Sequence, residues 1–188
     1  MTSLPQNTAL LIIDLQKAID HPSWGTRNNP GAEENVGKLL AHWRATTRPI
    51  VHIRHVSRFP TSTYRDGQPG VEFKDVAIPA AGELVLTKQS ASAFVGTPLK
   101  AWLDDHDIAD VVIAGVITNN SVEATARMAG DLGFRTTVVS DATFTFGRND
   151  FDGRFRSAGE VHSMSLANLD GEYASILTTV EVLRGAGG

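Results

Sequence analysis

Five short apolar runs punctuate the chain: Ala9 to Ile13, Ile50 to Ile53, Leu84 to Leu86, Val111 to Ala114 and Thr137 to Val139. They are apolar on both faces, which predicts strands of a parallel sheet covered by helices on each side. The intervening stretches carry helical spacing. After Pro30, the residues Val36, Leu39, Leu40 and Trp43 recur at i, i+3, i+4 and i+7 and form one stripe. Thr97 and Pro98 read as an N-cap and first-turn pair, with Leu99, Trp102 and Leu103 on one face. Val122, Thr125, Ala126, Ala129 and Leu132 repeat the spacing, and Gly133 supplies a stop. From Arg154 onward the pattern is a helix, a short run at Ser175 to Leu177, and a last short helix. Strand and helix alternate, so the fold class is α/β with a mainly parallel sheet.

Two stretches lack either period, Asp20 to Pro30 and roughly Val56 to Ala81. Irregular segments of that length in a compact domain tend to be functional, and here they are expected to wall a pocket. At 188 residues, with no repeat or linker, the chain is read as one domain spanning 1–188.

Charge narrows the partners. A formal net charge of −4 argues against a general grip on nucleic acid or an anionic membrane, which needs clustered Lys and Arg. The apolar runs are too short to span a bilayer, and the N-terminus lacks a charged flank ahead of an apolar core. The expectation is a cytoplasmic protein acting on a small molecule. With no cysteine there is neither a disulfide framework nor a thiolate metal site.

In doubly wound sheets ligands bind beyond the carboxyl ends of the strands, where strand order reverses. Three reactive side chains stand at such ends: Asp14 after the first run, Lys88 after the third, and Ser121 just beyond the fourth. Each has an ordinary explanation. A strand-end Asp is often a cap, a lone Lys is usually a surface charge, and Asn120 with Glu123 three positions on resembles a capping box that would start a helix around Ser121. Together they place an acid, a cation and a hydroxyl on one rim. A nucleophile in the first turn of a helix also meets unpaired N–H groups and the positive end of the dipole, which favour an oxyanion.

Several motifs here resemble the isochorismatase-like (cysteine hydrolase) superfamily. They are Asp-Leu-Gln at 14–16, Lys88 with Ser-Ala-Phe at 92–94 and Gly-Thr-Pro-Leu at 96–99, Gly-Val-Ile-Thr-Asn-Asn-Ser-Val at 115–122 with Ala-Thr-Ala-Arg at 124–127, and Asp-Ala-Thr at 141–143. The resemblance runs from about residue 8 to about 180. It implies a three-layer α/β/α fold with a six-stranded parallel sheet in the Rossmann-like order 3-2-1-4-5-6. It further implies an Asp-Lys-Cys catalytic triad with Asp14 as general base, Lys88 as electrostatic partner and position 121 as nucleophile. A cis peptide at Val116–Ile117 is implied too, with the N–H groups of Ile117 and Ser121 as the oxyanion hole. The implied reaction is hydrolysis of a C–N bond in a small amide, carbamoyl or lactam substrate. Dimers or higher homo-oligomers are implied as well.

Position 121 departs from that pattern, because a hydroxyl is several units less acidic than a thiol, whose unperturbed pKa is ~8.5. Asp14 is a weak base for it, and His52, His55 and His162 are the histidines weighed as a stronger one. Three readings follow: a cysteine replaced by serine, which keeps the shape of the site while slowing the enzyme so that it captures a ligand, and which is favoured; a natural serine in a vinyl ether hydrolase that uses Asp14 as acid without a covalent step; and a non-catalytic binding relative. Nicotinamidases of the superfamily carry Asp-x-His after the second strand, but Ile50 to His55 lacks that Asp, and His52 and His55 point to opposite faces, so neither metal nor other cofactor is expected. Trp24 and Phe94 are candidate apolar walls of the substrate pocket, and Gln16, Asn119 and Asn120 are candidate polar contacts. Tyr64 and Arg65 lie in the long second loop, where an Arg could hold a carboxylate.

Overall fold

The structure is a computed structural model and describes residues 3–187. Its elements in chain order are β1 (Ala9–Ile13), α1 (Ala32–Ala45), β2 (Ile50–His55), β3 (Leu84–Lys88), α2 (Leu99–Asp105), β4 (Asp110–Val116), α3 (Glu123–Asp131), β5 (Arg135–Phe144), a two-residue hairpin of β6 (Arg148–Asn149) and β7 (Phe155–Arg156), α4 (Ala158–Ala167), β8 (Ser175–Leu177) and α5 (Thr179–Ala186). The main sheet has six strands in the order β3-β2-β1-β4-β5-β8. All its pairings are parallel. With the small hairpin set aside, this is the expected 3-2-1-4-5-6 order.

The alternation of side chains along each strand splits the core in two. Leu10 and Ile12 of β1 pack with Val36, Leu39, Leu40 and Trp43 of α1 and with Val182 and Ala186 of α5. Ala9, Leu11 and Ile13 point the other way, into Leu99 and Leu103 of α2 and Ala126 and Ala129 of α3. β1 is thus covered on both faces and in the middle of the sheet, which is why its sequence is an unbroken apolar run. The chain lays β2 and β3 on one side of β1 and then crosses to β4 on the other. The switch point therefore falls at the carboxyl ends of β1 and β4, directly before Asp14 and the segment leading to Ser121.

Several boundaries differ from the sequence reading. α2 begins at Leu99, one residue beyond Pro98, although Thr97 Oγ1 still accepts the Leu99 N–H at 3.3 Å. The anticipated Asn120/Glu123 capping box is absent. A π-helical turn, Thr118–Val122, fills that place and runs into α3. Glu123 instead bonds Ser165 at 2.6 Å and Arg127 at 2.9 Å, so its carboxylate is spent on α4 and on its own helix. Capping boxes do open α4 (Ser157, Glu160) and α5 (Thr178, Glu181). β5 continues to Phe144 through a register jump, for Ile113 pairs with Val138 but Gly115 with Thr143. Asn29 spans the resulting loop, donating to the carbonyls of Ser140 at 2.9 Å and Thr143 at 2.7 Å.

Candidate active site

β1 ends by turning. Asp14 has a positive φ of 48°, a conformation that Asp tolerates better than most side chains, and the turn lifts its carboxylate off the sheet. Its N–H still donates to Ile53 O at 3.0 Å, and its carbonyl accepts the Tyr64 hydroxyl at 3.2 Å, so the turn is held from both sides.

Lys88 ends β3, two strands away from β1. Adjacent strands lie ~4.8 Å apart, which leaves about 10 Å to bridge over the end of β2. A lysine stem can cover much of that span. The Lys88 side chain is fully buried, and its Nζ donates to Asp14 Oδ2 at 2.6 Å, to Ser121 Oγ at 3.3 Å and to Ser90 O at 3.0 Å. One ammonium therefore links the acid and the hydroxyl. Burial pushes the Asp14 carboxyl above its ordinary value, and the Lys88 charge opposes that rise. The other carboxylate oxygen, Oδ1, is buried without a hydrogen-bond partner among the described residues.

Ser121 sits in the π-helical turn, buried beside this pair. α4 fixes the turn: His162 Nδ1 bonds Thr118 Oγ1 at 2.8 Å, and Ser165 Oγ donates to Thr118 O at 3.1 Å. Ile117 caps the turn, and the Val116–Ile117 peptide is cis. A cavity of about 530 Å³ opens above these groups, with Asp14, Trp24, His55, Arg58, Tyr64, Ile117, Asn120 and Ser121 in its wall.

Three candidate contacts lie elsewhere. Gln16 is wholly buried and spends its amide on backbone, donating to His55 O at 3.0 Å and Val71 O at 2.9 Å while accepting the His55 N–H at 2.7 Å. It clamps the end of β2 to the second loop. Phe94 stacks on Phe134 with ring centroids 5.8 Å apart, in the α2/α3 core. Asn119 turns to the opposite side of the π-helical turn, where its side chain accepts the Thr145 hydroxyl. Of the second-loop candidates, Tyr64 reaches the cavity and Arg65 does not; Arg58, which the sequence reading overlooked, lies there instead. The long irregular stretch offered no period by which to choose between its two arginines, Arg58 and Arg65, and the clue lay in proximity to the end of β2.

None of the weighed histidines bonds Ser121. His52 pairs with Glu83 at 2.7 Å inside the α1-side layer, and His162 is committed to Thr118. His55 does line the cavity, with Nδ1 buried and unpartnered. Burial, with Lys88 nearby, pulls its pKa down to about 4, so the ring is neutral at pH 7. A folded-state pKa depressed below the unfolded 6.5 stabilises the fold above pH 6.5 and loses that contribution as pH falls toward 4. H55F is expected to flatten the slope of stability between pH 4 and 6.5, measured by urea melts at stepped pH; an unchanged slope would show that His55 is not the group responsible. Among the described residues, no cluster of three or more His, Cys, Asp or Glu side chains is arranged to hold a metal ion.

A parallel three-layer sheet with a buried acid–lysine pair at its switch point places this chain in the doubly wound α/β class, with a cleft sized for a small molecule. Comparison with known proteins narrows the class: residues 8–181 match the isochorismatase domain, and the chain belongs to the isochorismatase family. It is 40% identical to the isochorismatase family protein YrdC of Bacillus subtilis over 180 residues, covering 96% of each chain. It is 33% identical to the maleamate amidohydrolase of Pseudomonas putida, covering 94% of this chain and 85% of that enzyme. A crystal structure of an isochorismatase-family protein from Chromobacterium violaceum superposes with a TM-score of 0.96 at 51% identity, covering 100% of this chain and 97% of the other.

Proposed function

We propose that the protein hydrolyses a C–N bond of a small amide, carbamoyl or lactam substrate, with Asp14 as proton carrier, Lys88 as fixed positive charge and position 121 as the attacking group. The observation that carries this reading is the single Lys88 ammonium in contact with both Asp14 Oδ2 and Ser121 Oγ at the cavity floor. The named activity of the P. putida relative, an amidohydrolase, supports the same bond class. In the proposed sequence Asp14 takes the proton of the group at 121 as its oxygen attacks the carbonyl carbon. The N–H groups of Ile117 and Ser121 receive the oxyanion. Asp14 returns the proton to the departing nitrogen as the C–N bond breaks. Water then attacks the acyl ester, Asp14 accepts its proton, and the 121 oxygen leaves and regains one.

Ser121 makes the first step slow. Lys88 favours negative charge on Oγ but is no base while it pairs with Asp14, and no histidine hydrogen-bonds the hydroxyl. S121C supplies a group whose proton Asp14 can remove. Across a panel of small primary amides, ureides and lactams, S121C is expected to raise turnover on the order of 100-fold over the parent chain and to accumulate an acyl adduct seen by intact mass. One observation favours a second reading: the carboxyl of Asp14 is held toward its protonated form by burial, as an acid catalyst of vinyl ether cleavage would need. Equal vinyl ether cleavage by both forms, with no amide turnover by S121C, would establish that reading and remove the first.

A further inference from the structure

The π-helical turn is held from behind, by groups that the cavity does not touch. Thr118 stands between Ile117 and Ser121, whose N–H groups are the proposed oxyanion donors, and it is wholly buried. Neither Thr118 nor His162 is in the cavity wall. His162 and Ser165 lie three residues apart on α4 and so face the turn together. Their protons divide unequally. Ser165 has a single hydroxyl proton for two acceptors, Glu123 Oε2 at 2.6 Å and Thr118 O at 3.1 Å. The shorter contact, to a carboxylate, is charge-assisted and takes the larger share. Thr118 O in any case accepts the Glu123 N–H, which closes the turn internally. The Thr118 side chain has no such alternative: among the described residues its hydroxyl bonds His162 Nδ1, at 2.8 Å, and nothing else.

The direction of that bond follows from the surroundings of the ring. Burial lowers the His162 pKa, so the imidazole is neutral at pH 7 and carries one proton. The Ser140 carbonyl lies against the ring and can only accept, which draws that proton to the nitrogen facing it. Nε2 is that nitrogen, for it is 3.5 Å from Asn29 Nδ2, which donates to the same carbonyl at 2.9 Å. The other Asn29 proton goes to Thr143 O at 2.7 Å, so neither reaches the ring. Nδ1 therefore carries the lone pair, and the Thr118 hydroxyl donates to it. We propose that His162 is a positioning residue for the hydrolysis: its Nδ1 accepts the Thr118 hydroxyl and thereby fixes the turn where the Ile117 and Ser121 N–H groups converge on one oxygen. His162 touches no substrate and acts through Thr118. Its own seat is firm, because Ser140 lies at the β5 register jump and Asn29 closes the loop formed there. The convergence on an oxyanion rests on the hydrolase reading above, whereas the hold on the turn stands on the hydrogen bonds themselves.

In the S121C background H162L is expected to lower kcat about 30-fold on whichever amide is turned over, with KM within about threefold, because misplaced donors cost transition-state rather than ground-state binding. H162N sets an amide oxygen near the Nδ1 position and is expected to recover kcat to within about threefold of S121C. H162Q, whose amide reaches toward the Nε2 position instead, is expected to stay with H162L. T118V breaks the same bond from the other side and carries the test if H162L does not fold; T118V/H162L should be no slower than the slower single variant. Thermal melts on the same samples give the folded fraction to which each kcat is referred. A kcat within about threefold of S121C in both H162L and T118V, or H162N as slow as H162L, overturns the proposal and leaves the hydrolase reading intact. Where no amide is turned over, the thiol of S121C reports on the turn directly. The helix terminus and Lys88 should hold its pKa below the ordinary ~8.5, read from the pH dependence of alkylation by iodoacetamide. H162L is expected to raise that value by about one unit and H162N to leave it in place. Equal alkylation profiles in S121C, H162L and T118V overturn the proposal.

Discussion

Replacing Asp14 by Asn is expected to lower kcat/KM by roughly 10³-fold, whichever amide the S121C form turns over, because the proton carrier proposed for both half-reactions is gone. The shape of the site should survive, since Asn tolerates the positive φ at position 14 about as well as Asp. Stability should not. Lys88 is wholly buried and pairs with Asp14 at 2.6 Å; with its partner neutralised it becomes a lone charge in the interior, and losing one member of such a pair costs about 3–5 kcal/mol. K88M strands the Asp14 carboxylate in the same way, although a buried acid can protonate and thereby soften the loss. The double variant D14N/K88M removes both charges, so it should be more stable than the sum of the singles predicts and yet no more active than D14N. Urea melts of the four proteins, with rates measured on the same samples, separate the two roles of the pair. A D14N protein within tenfold of its parent in kcat/KM would remove Asp14 from the mechanism.

The fold was largely legible because its signals are local and repeated. The two-sided apolar runs identify buried strands without any partner being known, and the stripe of Val36, Leu39, Leu40 and Trp43 needs no more than helical geometry. The candidate site was legible where topology determines position: a side chain at or just past the end of β1, β3 or β4 has few places to go. Asp14, Lys88 and Ser121 are such residues. Gln16, Phe94 and Asn119 are not, although each is close in sequence to one of them. A strand-end segment turns within one or two residues, so Gln16 faces backbone while Asp14 faces the cavity, and Asn119 and Asn120 fall on opposite sides of one helical turn. The π-helical turn itself was hidden, because Asn120 and Glu123 have the residue types and spacing of a capping box. What overrides that local preference is tertiary: Ser165 of α4 and Arg127 together take the Glu123 carboxylate. Arg58 was hidden for a different reason, since its tether to Gln89 joins two loops 31 residues apart.

Gly115 joins fold to chemistry most directly, and G115A is expected to be the most damaging small substitution in the sheet. The residue pairs with Ile13 across the β1–β4 ladder and has φ of 114°, a region an L side chain rarely adopts. An added methyl would lie 2.2 Å from the Ile13 carbonyl oxygen and 2.7 Å from its nitrogen. Both obstacles are backbone atoms of the central strand, so no rotamer change relieves the clash, and either β1 or β4 must move. Gly133 serves as the control: its φ of 89° is also positive, but a methyl there would meet nothing within 4 Å. G133A should therefore cost about 1–2 kcal/mol from conformation alone, whereas G115A should exceed about 4 kcal/mol. The displacement would fall on Ile13, the residue before Asp14, and Lys88 can follow the carboxylate only as far as its buried stem allows. Any folded G115A protein should thus lose activity beyond what its unfolded fraction accounts for, in the S121C background where turnover is measurable. Equal destabilisation by the two substitutions would mean that β1 and β4 can part at their carboxyl ends without cost, and the switch point would then not be the rigid seat that the acid–lysine pair requires.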